Sequence, residues 1–276
     1  MYSESKIDRL SETSRKISFK LIELSHNAGT PHLASAMSTV DALVALYWNV
    51  LKICSDNIGL PDRDRFILSK GHAALGLYTA LAYRGIISME TLNTFGEHGS
   101  CLPEQPAPHL VPGVEWATGS LGHGLGVGLG MALASKRAEQ YFRVAVMMGD
   151  GECNEGSVWE AAMLAPKLGL SNLLVLIDYN RWQATARSQD VMQLDPLADK
   201  WKAFGWNVEE VDGHDIKAIT MAAENCYSSD NRPGAIILHT IKGKGVSFME
   251  DDNNWHYIVP SKEHVAAARK ELLIQS

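Results

Sequence analysis

The sequence contains little that would connect it with nucleic acids, membranes or an oxidising compartment. Its formal charge is −7, and Lys and Arg are dispersed, so no basic surface for a nucleic acid is indicated. Only four cysteines occur, without the spacing of a disulfide framework or a zinc site, which predicts a reducing, cytoplasmic location. The polar N-terminus predicts no signal peptide, and the apolar, Gly-rich segment 121–135 is too short to span a bilayer.

No internal repeat or low-complexity linker divides the 276 residues. A hydrophobic content of 46% and a charged content of 21% are typical of a globular protein with a sizeable core. Apolar runs with the length of buried strands alternate with helical patterns, which is the signature of a parallel sheet. We predict one domain over residues 1–276: an α/β, doubly wound parallel sheet with helices on both faces and an N-terminal helical extension.

The predicted elements follow apolar periodicity and the positions of Gly and Pro. The segments 28–35 and 95–113 are expected to be irregular, and long irregular segments often serve binding. Further helices are expected to begin after the loops 69–73 and 119–122. The strands predicted are 65–68, 143–148, 173–177, 207–211 and 234–240, and the remaining helices are 6–27, 39–50, 154–168, 197–204, 216–227 and 261–273.

Two clusters of polar residues follow the central strands. Gly149-Asp150-Gly151 ends one predicted strand, and Asp178 with Asn180 ends the next. The intervening helix makes this a parallel βαβ unit, which places both clusters at the carboxyl edge of the sheet, where ligands of open parallel sheets bind. The glycines allow a bulky anion to approach the backbone.

Asp150 and Asn180 offer hard oxygen ligands that suit Mg²⁺ or Ca²⁺ better than zinc. Magnesium bound by few protein oxygens commonly completes its shell with phosphates and water. The two clusters therefore predict a metal-bridged diphosphate site. The alternative is a βαβ unit in which Asp and Asn only cap turns.

The pattern GDGE-x-x-EG-x-x-x-EA, followed by a strand that ends in D-x-N, resembles the thiamine diphosphate motif of the transketolase family. The resemblance implies the family's diphosphate-binding fold, with thiamine diphosphate and Mg²⁺ as cofactors and Ca²⁺ or Mn²⁺ as substitutes for magnesium. It implies that Asp150, Asn180 and the backbone carbonyl of Trp182 are the metal ligands, and that Gly151 and Glu152 contact the cofactor.

Four further segments resemble family loops: AGTPHLAS, SKGHA, ATGSLGHG and IKGKG with WH fourteen residues after its first lysine. Imidazoles at such a site can shuttle protons near pH 7, and lysine neutralises phosphate charge. The resemblance implies catalytic roles for His32, His72, His256 and Gln105. It also implies cofactor contacts for Ser35, His72, Gly119, Ser120, Leu121, Lys242 and His256.

The sequence departs from the family pattern around the substrate. Pro31 and Ala34 stand where glycines are usual, and Tyr257 replaces a glycine. Gln105 stands where the family has a substrate-contacting histidine, and His109, four residues away, is a candidate replacement after a loop shift. Glutamine cannot titrate near neutrality, so these departures leave the donor sugar open.

Glu155 resembles the family's buried acid near the subunit interface. The competing interpretation is a carboxylate that interacts with the N-terminus of the following helix. The sequence alone does not choose between these two roles.

The resemblance covers only the first of the family's domains. The pyrimidine-binding domain, with the glutamate that protonates the cofactor, and the C-terminal domain are absent from this chain. This implies the N-terminal subunit of a split transketolase, completed by a second polypeptide in an α2β2 heterotetramer and active only there. The implied reaction moves a two-carbon ketol unit from a ketose, phosphorylated or otherwise, to an aldehyde. Alternatives are a subunit resembling 1-deoxyxylulose-phosphate synthase or a 2-oxo acid dehydrogenase E1, or a non-catalytic thiamine-binding partner.

Overall fold

The computed structural model describes residues 3–229 and 231–273, and its strands form one five-stranded sheet. The strands lie in the order β1-β2-β3-β5-β4, and every neighbouring pair is parallel. They are β1 (Arg65–Leu68), β2 (Val144–Gly149), β3 (Leu173–Tyr179), β4 (Asn207–Asp212) and β5 (Gly234–His239). The central strands are almost completely buried, as expected for a parallel sheet that is covered on both faces.

Helices connect the strands and cover the sheet. Before and after β1 lie α1 (Glu4–Ala28), α2 (Leu33–Met37), α3 (Val40–Ala45), α4 (Ala74–Tyr83), α5 (Met89–Asn93) and α6 (Gly124–Arg137). Later in the chain lie α7 (Gly156–Lys167), α8 (Ser188–Val191), α9 (Leu197–Ala203), α10 (Ile216–Tyr227) and α11 (Lys262–Leu273).

The sheet separates two hydrophobic cores. Successive side chains of a strand point to opposite faces, so Met147 belongs to one core while Val146 and Met148 belong to the other. The first core includes residues of α1, α3, α4, α10 and α11, and the second includes residues of α6, α7 and α9. This arrangement confirms the predicted doubly wound α/β fold. The single-domain boundary at residues 1–276 stays a prediction.

The short helices α5 and α8 were not predicted, and the largest of the other differences from the predicted elements lie at the loops that precede helices. The predicted loop 28–35 is shorter than expected, because α2 already begins at Leu33. Conversely, α6 begins only at Gly124 and α7 only at Gly156, since the backbone before them turns at Gly122 (φ 85°) and in the 3-10 turn Gly151–Asn154. These turns bring side chains to the carboxyl edge of the sheet.

Within the described residues, one stretch, Leu33–Val50, is long and apolar enough to cross a membrane by length and composition alone. In the fold, 83% of that stretch is buried. It contains α2 and α3 and continues into the π-turn Leu46–Val50, and its side chains belong to the first core. Its apolar character is accounted for by this packing.

Candidate active site

A cavity of 410 Å³ lies at the carboxyl edge of the sheet, where the two sequence clusters were predicted to meet. The register pairs Gly149 with Asp178, so β2 and β3 end at the same level. Eleven sequence-predicted site residues line this cavity: His32, Ser35, His72, Gln105, Leu121, Asp150, Gly151, Glu152, Asn180, Trp182 and His256. Three others, Gly119, Ser120 and Lys242, lie outside the lining.

Glu152 connects the loops that form the cavity. Its buried carboxylate accepts hydrogen bonds from the Ser69 hydroxyl, from the Gly122 backbone N–H (2.9 Å) and from the Gly149 backbone N–H (3.3 Å). Burial raises the pKa of Glu152, and these hydrogen bonds oppose that effect. A side chain at Gly124 would overlap Ser69, so the approach of these loops also requires glycine there. Its carboxylate therefore positions the loops, and the predicted contact of Glu152 with the cofactor stays a prediction.

Asp150 presents a nearly inaccessible carboxylate to the cavity. Its Oδ2 accepts hydrogen bonds from the Arg181 backbone N–H (3.0 Å) and the Ser188 hydroxyl (2.7 Å), and its Oδ1 accepts one from the Gly151 N–H (2.8 Å). Arg181 has a φ of 65°, a left-handed conformation that is uncommon outside glycine. Burial raises the pKa of Asp150 to about 6, although the Ser188 bond opposes this. A bound cation would relieve the cost of that buried charge.

The Asn180 amide is held in one orientation by Asp178. Asn180 Nδ2 donates to Asp178 Oδ2 (2.8 Å), so Oδ1 faces the other way, where it accepts the backbone N–H of Trp182 (3.0 Å). This places an amide oxygen, rather than the NH₂ group, among the potential metal ligands.

Asp178 is the centre of a buried polar cluster at the end of β3. Its carboxylate accepts hydrogen bonds from the hydroxyls of Ser38 and Thr240, from Asn180 and from the ammonium group of Lys70. Burial alone would raise the pKa of Asp178, but the Lys70 charge and these hydrogen bonds lower it below its ordinary value. Lys70 also lines the cavity. The sequence analysis missed this role of Lys70, although the residue lies within the SKGHA segment.

We expect Lys70→Met to destabilise the protein by about 3 to 5 kcal/mol, because it leaves the Asp178 carboxylate buried without its counter-ion. Lys70 and Asp178 are both buried. The double variant Lys70→Met/Asp178→Asn should recover part of the loss, since an amide needs no counter-ion. Urea unfolding of wild type and both variants measures this difference. Exposed ion pairs contribute less than about 1 kcal/mol. If the free energy of unfolding of Lys70→Met falls by no more than that, the assignment is wrong.

The cavity also contains buried polar atoms that suit an anionic ligand and its metal. Gln183 Nε2, Asn154 Oδ1 and His32 Nδ1 are buried and have no hydrogen-bond partner in the part of the chain that the structure describes. Apart from Gly149 and its chain neighbours, no described residue has an atom within 4 Å of the place where a Cβ would stand on Gly149, which leaves the backbone open to a ligand. Buried polar side-chain atoms usually have a hydrogen-bond partner in a native protein. The residues present therefore fit a metal-bound diphosphate.

Two of the three predicted metal ligands are neutral groups, a side-chain amide and a backbone carbonyl. Residues 3–229 and 231–273 contain no group of three His, Cys, Asp or Glu side chains that could hold a metal ion. Asp150, Asn180 and Trp182 all line the cavity, and the predicted ligands from them are one carboxylate, one amide oxygen and one backbone carbonyl. This donor type suits Mg²⁺, which keeps open positions for substrate phosphates.

Three histidines from distant parts of the chain form a cluster in the cavity. The ring centroids of His32 and His256 are 4.8 Å apart, those of His32 and His72 are 5.7 Å apart, and those of His72 and His256 are 6.0 Å apart. The His32 backbone N–H donates to the carbonyl of His256 (3.0 Å), which joins the two segments. The predicted convergence of the three imidazoles is therefore present in the fold.

Lys242 acts on the site through His256. Its buried ammonium donates to Asn253 Oδ1 (2.7 Å) and contacts His256 Nδ1 at 3.2 Å. Burial and the Lys70 charge lower the pKa of Lys242 to about 8, so it is mostly protonated at pH 7. Because an ammonium can only donate, Nδ1 of His256 accepts and the imidazole proton is on Nε2. His256 thus offers an N–H donor.

All three imidazoles are neutral near pH 7. Burial lowers the pKa of His32, and burial together with the Lys70 charge lowers the pKa of His72 further. Burial and the Lys242 charge lower the pKa of His256 to about 4. Neutral imidazoles can accept or donate a proton and can hydrogen-bond a hydroxyl group.

We expect acid to destabilise the protein through these histidines. The pKa of His256 falls from about 6.5 when unfolded to about 4 when folded, so the unfolded state binds more protons between these values. Its contribution to stability is complete above pH 6.5 and is lost as the pH falls towards 4. The midpoint of thermal unfolding of His256→Gln should therefore fall less between pH 7 and 5 than that of wild type. The assignment would be contradicted if the unfolding midpoint fell equally in His256→Gln and in wild type between pH 7 and 5. It would also be contradicted if the control His109→Gln, at an exposed position, showed the same reduced fall as His256→Gln.

Gln105 was predicted to contact the substrate, and that role stays a prediction. It lines the cavity, and its Oε1 fills the space that a Cβ of Gly119 would need. Gly119 has a φ of 132°, a conformation that glycine adopts easily, and its missing side chain leaves space for Gln105. His109 is exposed and lies outside the lining, so the structure does not place it as the replacement. Tyr257 packs edge-on against His256, with 4.7 Å between ring centroids.

Glu155 lines the cavity and stands at the N-cap position of α7. Its side chain makes no capping hydrogen bond with a residue that the structure describes, and it is exposed. Its place at the helix N-terminus is compatible with both roles that the sequence left open.

Comparisons with known proteins agree with this site. A family model described as "Transketolase, thiamine diphosphate binding domain" matches residues 8–275. One of the subunits of apulose-4-phosphate transketolase from Phocaeicola vulgatus is 41% identical over 262 residues, which cover 95% of this chain and 92% of that protein. The 6-deoxy-6-sulfo-D-fructose transketolase subunit SqwG of a Clostridium species is 39% identical over 270 residues, 98% of each chain.

Solved transketolases have the same fold. The enzyme from Leishmania mexicana superposes with a TM-score of 0.87 at 27% identity, over 99% of this chain and 41% of that one. The enzyme from Campylobacter jejuni gives a TM-score of 0.88 at 27% identity, over 98% and 43%. The chain thus spans about two fifths of the solved transketolases that it matches. It belongs to the family of transketolase thiamine diphosphate-binding domains.

Proposed function

We propose that this chain is the N-terminal subunit of a split transketolase that depends on thiamine diphosphate and Mg²⁺. It transfers a two-carbon ketol unit from a ketose, as a phosphate or related sugar, to an aldehyde acceptor. The observation that carries the proposal is the cavity in which Asp150 and Asn180 face a cluster of three neutral histidines. The near full-length match to proteins named as transketolase subunits supports it.

Asp150, Asn180 and the Trp182 carbonyl would hold the metal ion, with Mg²⁺ preferred and Ca²⁺ or Mn²⁺ as substitutes. Their oxygen donors support this assignment, and the metal would supply positive charge for the diphosphate. Lys70 and Lys242 place two buried positive charges near the anion. These two charges favour an anion locally, although the protein as a whole has a net charge of −7.

When bound, thiamine diphosphate supplies a nucleophilic thiazolium carbon that accepts the ketol unit and passes it on. His32, His72 and His256 orient the sugar hydroxyls and move protons at the carbonyl oxygen. His256 donates from Nε2, because Nδ1 faces the Lys242 ammonium. Gln105 can hydrogen-bond a hydroxyl group but cannot titrate, so its role is to position the substrate.

The second polypeptide in this proposal is a C-terminal subunit with the pyrimidine-binding and C-terminal domains, in an α2β2 heterotetramer. The names of the relatives, which describe them as transketolase subunits, support the existence of such a partner. A cytoplasmic location accompanies the proposal: Cys54, Cys101, Cys153 and Cys226 are free, which suits a reducing compartment.

The deciding experiment is an assay of the reconstituted pair with Mg²⁺ and thiamine diphosphate. We expect ketol transfer from a ketose phosphate to an aldose phosphate, measured by product formation, and no consumption of pyruvate. Consumption of pyruvate would indicate chemistry of the 1-deoxyxylulose-phosphate synthase or 2-oxo acid dehydrogenase type instead. Cofactor binding without turnover of pyruvate or of phosphorylated, sulfonated and branched ketoses would indicate a non-catalytic thiamine-binding protein.

A further inference from the structure

The side chain of Gln183 lies directly against the second glycine of the metal motif. A Cβ on Gly151 would stand 2.8 Å from Cγ of Gln183, which is too close for a real contact, and 3.1 Å from its Cδ, which is tighter than most real contacts. Gly151 is not among the residues with positive φ, so conformation does not require glycine here. The lack of a side chain at Gly151 makes room for Gln183.

The Gln183 amide carries a donor that the protein leaves unused. Its Nε2 is buried in the cavity and has no hydrogen-bond partner among the described residues. A buried NH₂ group without an acceptor is unfavourable, so an acceptor is expected from a bound ligand. The side chain borders Gly151, next to the Asp150 carboxylate that would hold the metal, and a diphosphate bound by that metal is rich in acceptor oxygens.

A short hairpin holds Gln183 in place. Trp182 and Arg187 form an antiparallel bridge, and the Gln183 N–H donates to the Ala186 carbonyl (2.9 Å). The Arg187 guanidinium forms two hydrogen bonds with Asp251 (2.7 and 2.6 Å) and lies 3.8 Å from the Trp182 ring centroid. Because the hairpin is fixed before a ligand binds, little ordering is required at this donor.

We propose that the Gln183 side-chain amide donates to a diphosphate oxygen of the cofactor, and that Gly151 is glycine in order to seat this side chain. The proposal rests on the proposed function and deepens it. Gln183 would then contribute to the preference of the site for thiamine diphosphate over thiamine monophosphate. Gln183 is a binding residue here, and no proton transfer is attributed to it.

The test measures binding of thiamine diphosphate and thiamine monophosphate to the reconstituted complex by calorimetry at fixed Mg²⁺. Gln183→Leu should weaken diphosphate binding about 10- to 100-fold, the range for a hydrogen bond to a charged group. Gln183→Glu keeps the shape but replaces the donors with an anion, so it should weaken binding at least as much. Monophosphate binding should change much less. Gln193→Leu, at an exposed position, is the matched control.

A second comparison tests the seating of Gln183. Gly151→Ala should weaken diphosphate binding in the wild-type background but have little further effect in Gln183→Ala, where the space beside residue 151 is free. Melting temperatures show that each variant is folded. If Gln183→Leu binds like wild type, or if the two substitutions are additive, the inference is wrong while the proposed function stands. If the wild-type complex binds no thiamine diphosphate, the proposed function itself fails.

Discussion

Asp150→Ala is expected to weaken thiamine diphosphate binding by the assembled complex by about 100-fold or more, equivalent to about 2.8 kcal/mol. Asp150 is the one carboxylate in the proposed metal set, and it lines the cavity at the end of β2. Without it, the metal would keep only neutral protein ligands, and the diphosphate would lose its bridge to the protein. Calorimetric titration with cofactor at fixed Mg²⁺ measures the effect.

Two variants control this result. Asp199→Ala removes an exposed carboxylate of α9 and should bind like wild type. Asp150→Asn keeps the size of the side chain but replaces one acceptor oxygen with an NH₂ donor that faces a backbone N–H, so a loss of binding in this variant is assigned to the missing charge only if its melting temperature equals that of wild type. Unchanged uptake in Asp150→Ala would remove the basis of the proposed site.

The chain without its partner should have less than about one hundredth of the ketol transfer activity of the reconstituted pair. The resemblance implies that the glutamate that protonates the cofactor belongs to the pyrimidine-binding domain, whereas this chain matches the thiamine diphosphate-binding domain. Removal of a positioned acid or base typically costs about 10²- to 10⁴-fold in rate. Steady-state rates of the chain alone, the partner alone and the mixture, at equal cofactor and Mg²⁺, measure the difference.

Titration of the partner into a fixed amount of the chain should give activity that rises and then saturates at a defined ratio of subunits. For an α2β2 assembly the ratio is one to one, and size determination of the mixture checks the mass. Ketol transfer by the chain alone at a rate close to that of the mixture would refute the dependence on a partner. Saturation at another ratio would refute only the stoichiometry.

The strands and the ends of β2 and β3 could be predicted from local sequence, because continuous apolar runs and the Gly and Asp residues after them carry their own signal. The loops were harder to predict. Leu33 begins a helix directly after His32, whose φ is 68°, and this turn depends on a contact with the distant His256. No local pattern contains such a contact.

The sequence by itself determined the doubly wound fold and the family resemblance, and it indicated that Asp150 and Asn180 would meet at one edge of the sheet. Only the tertiary structure decided that Lys70 pairs with Asp178, that the Glu152 carboxylate is used by loops and that Gln183 has an unused donor. The physical reason is that apolar runs and turn residues are patterns of neighbours along the chain. Burial and hydrogen-bond partners depend on segments that are distant in sequence and become neighbours only after folding.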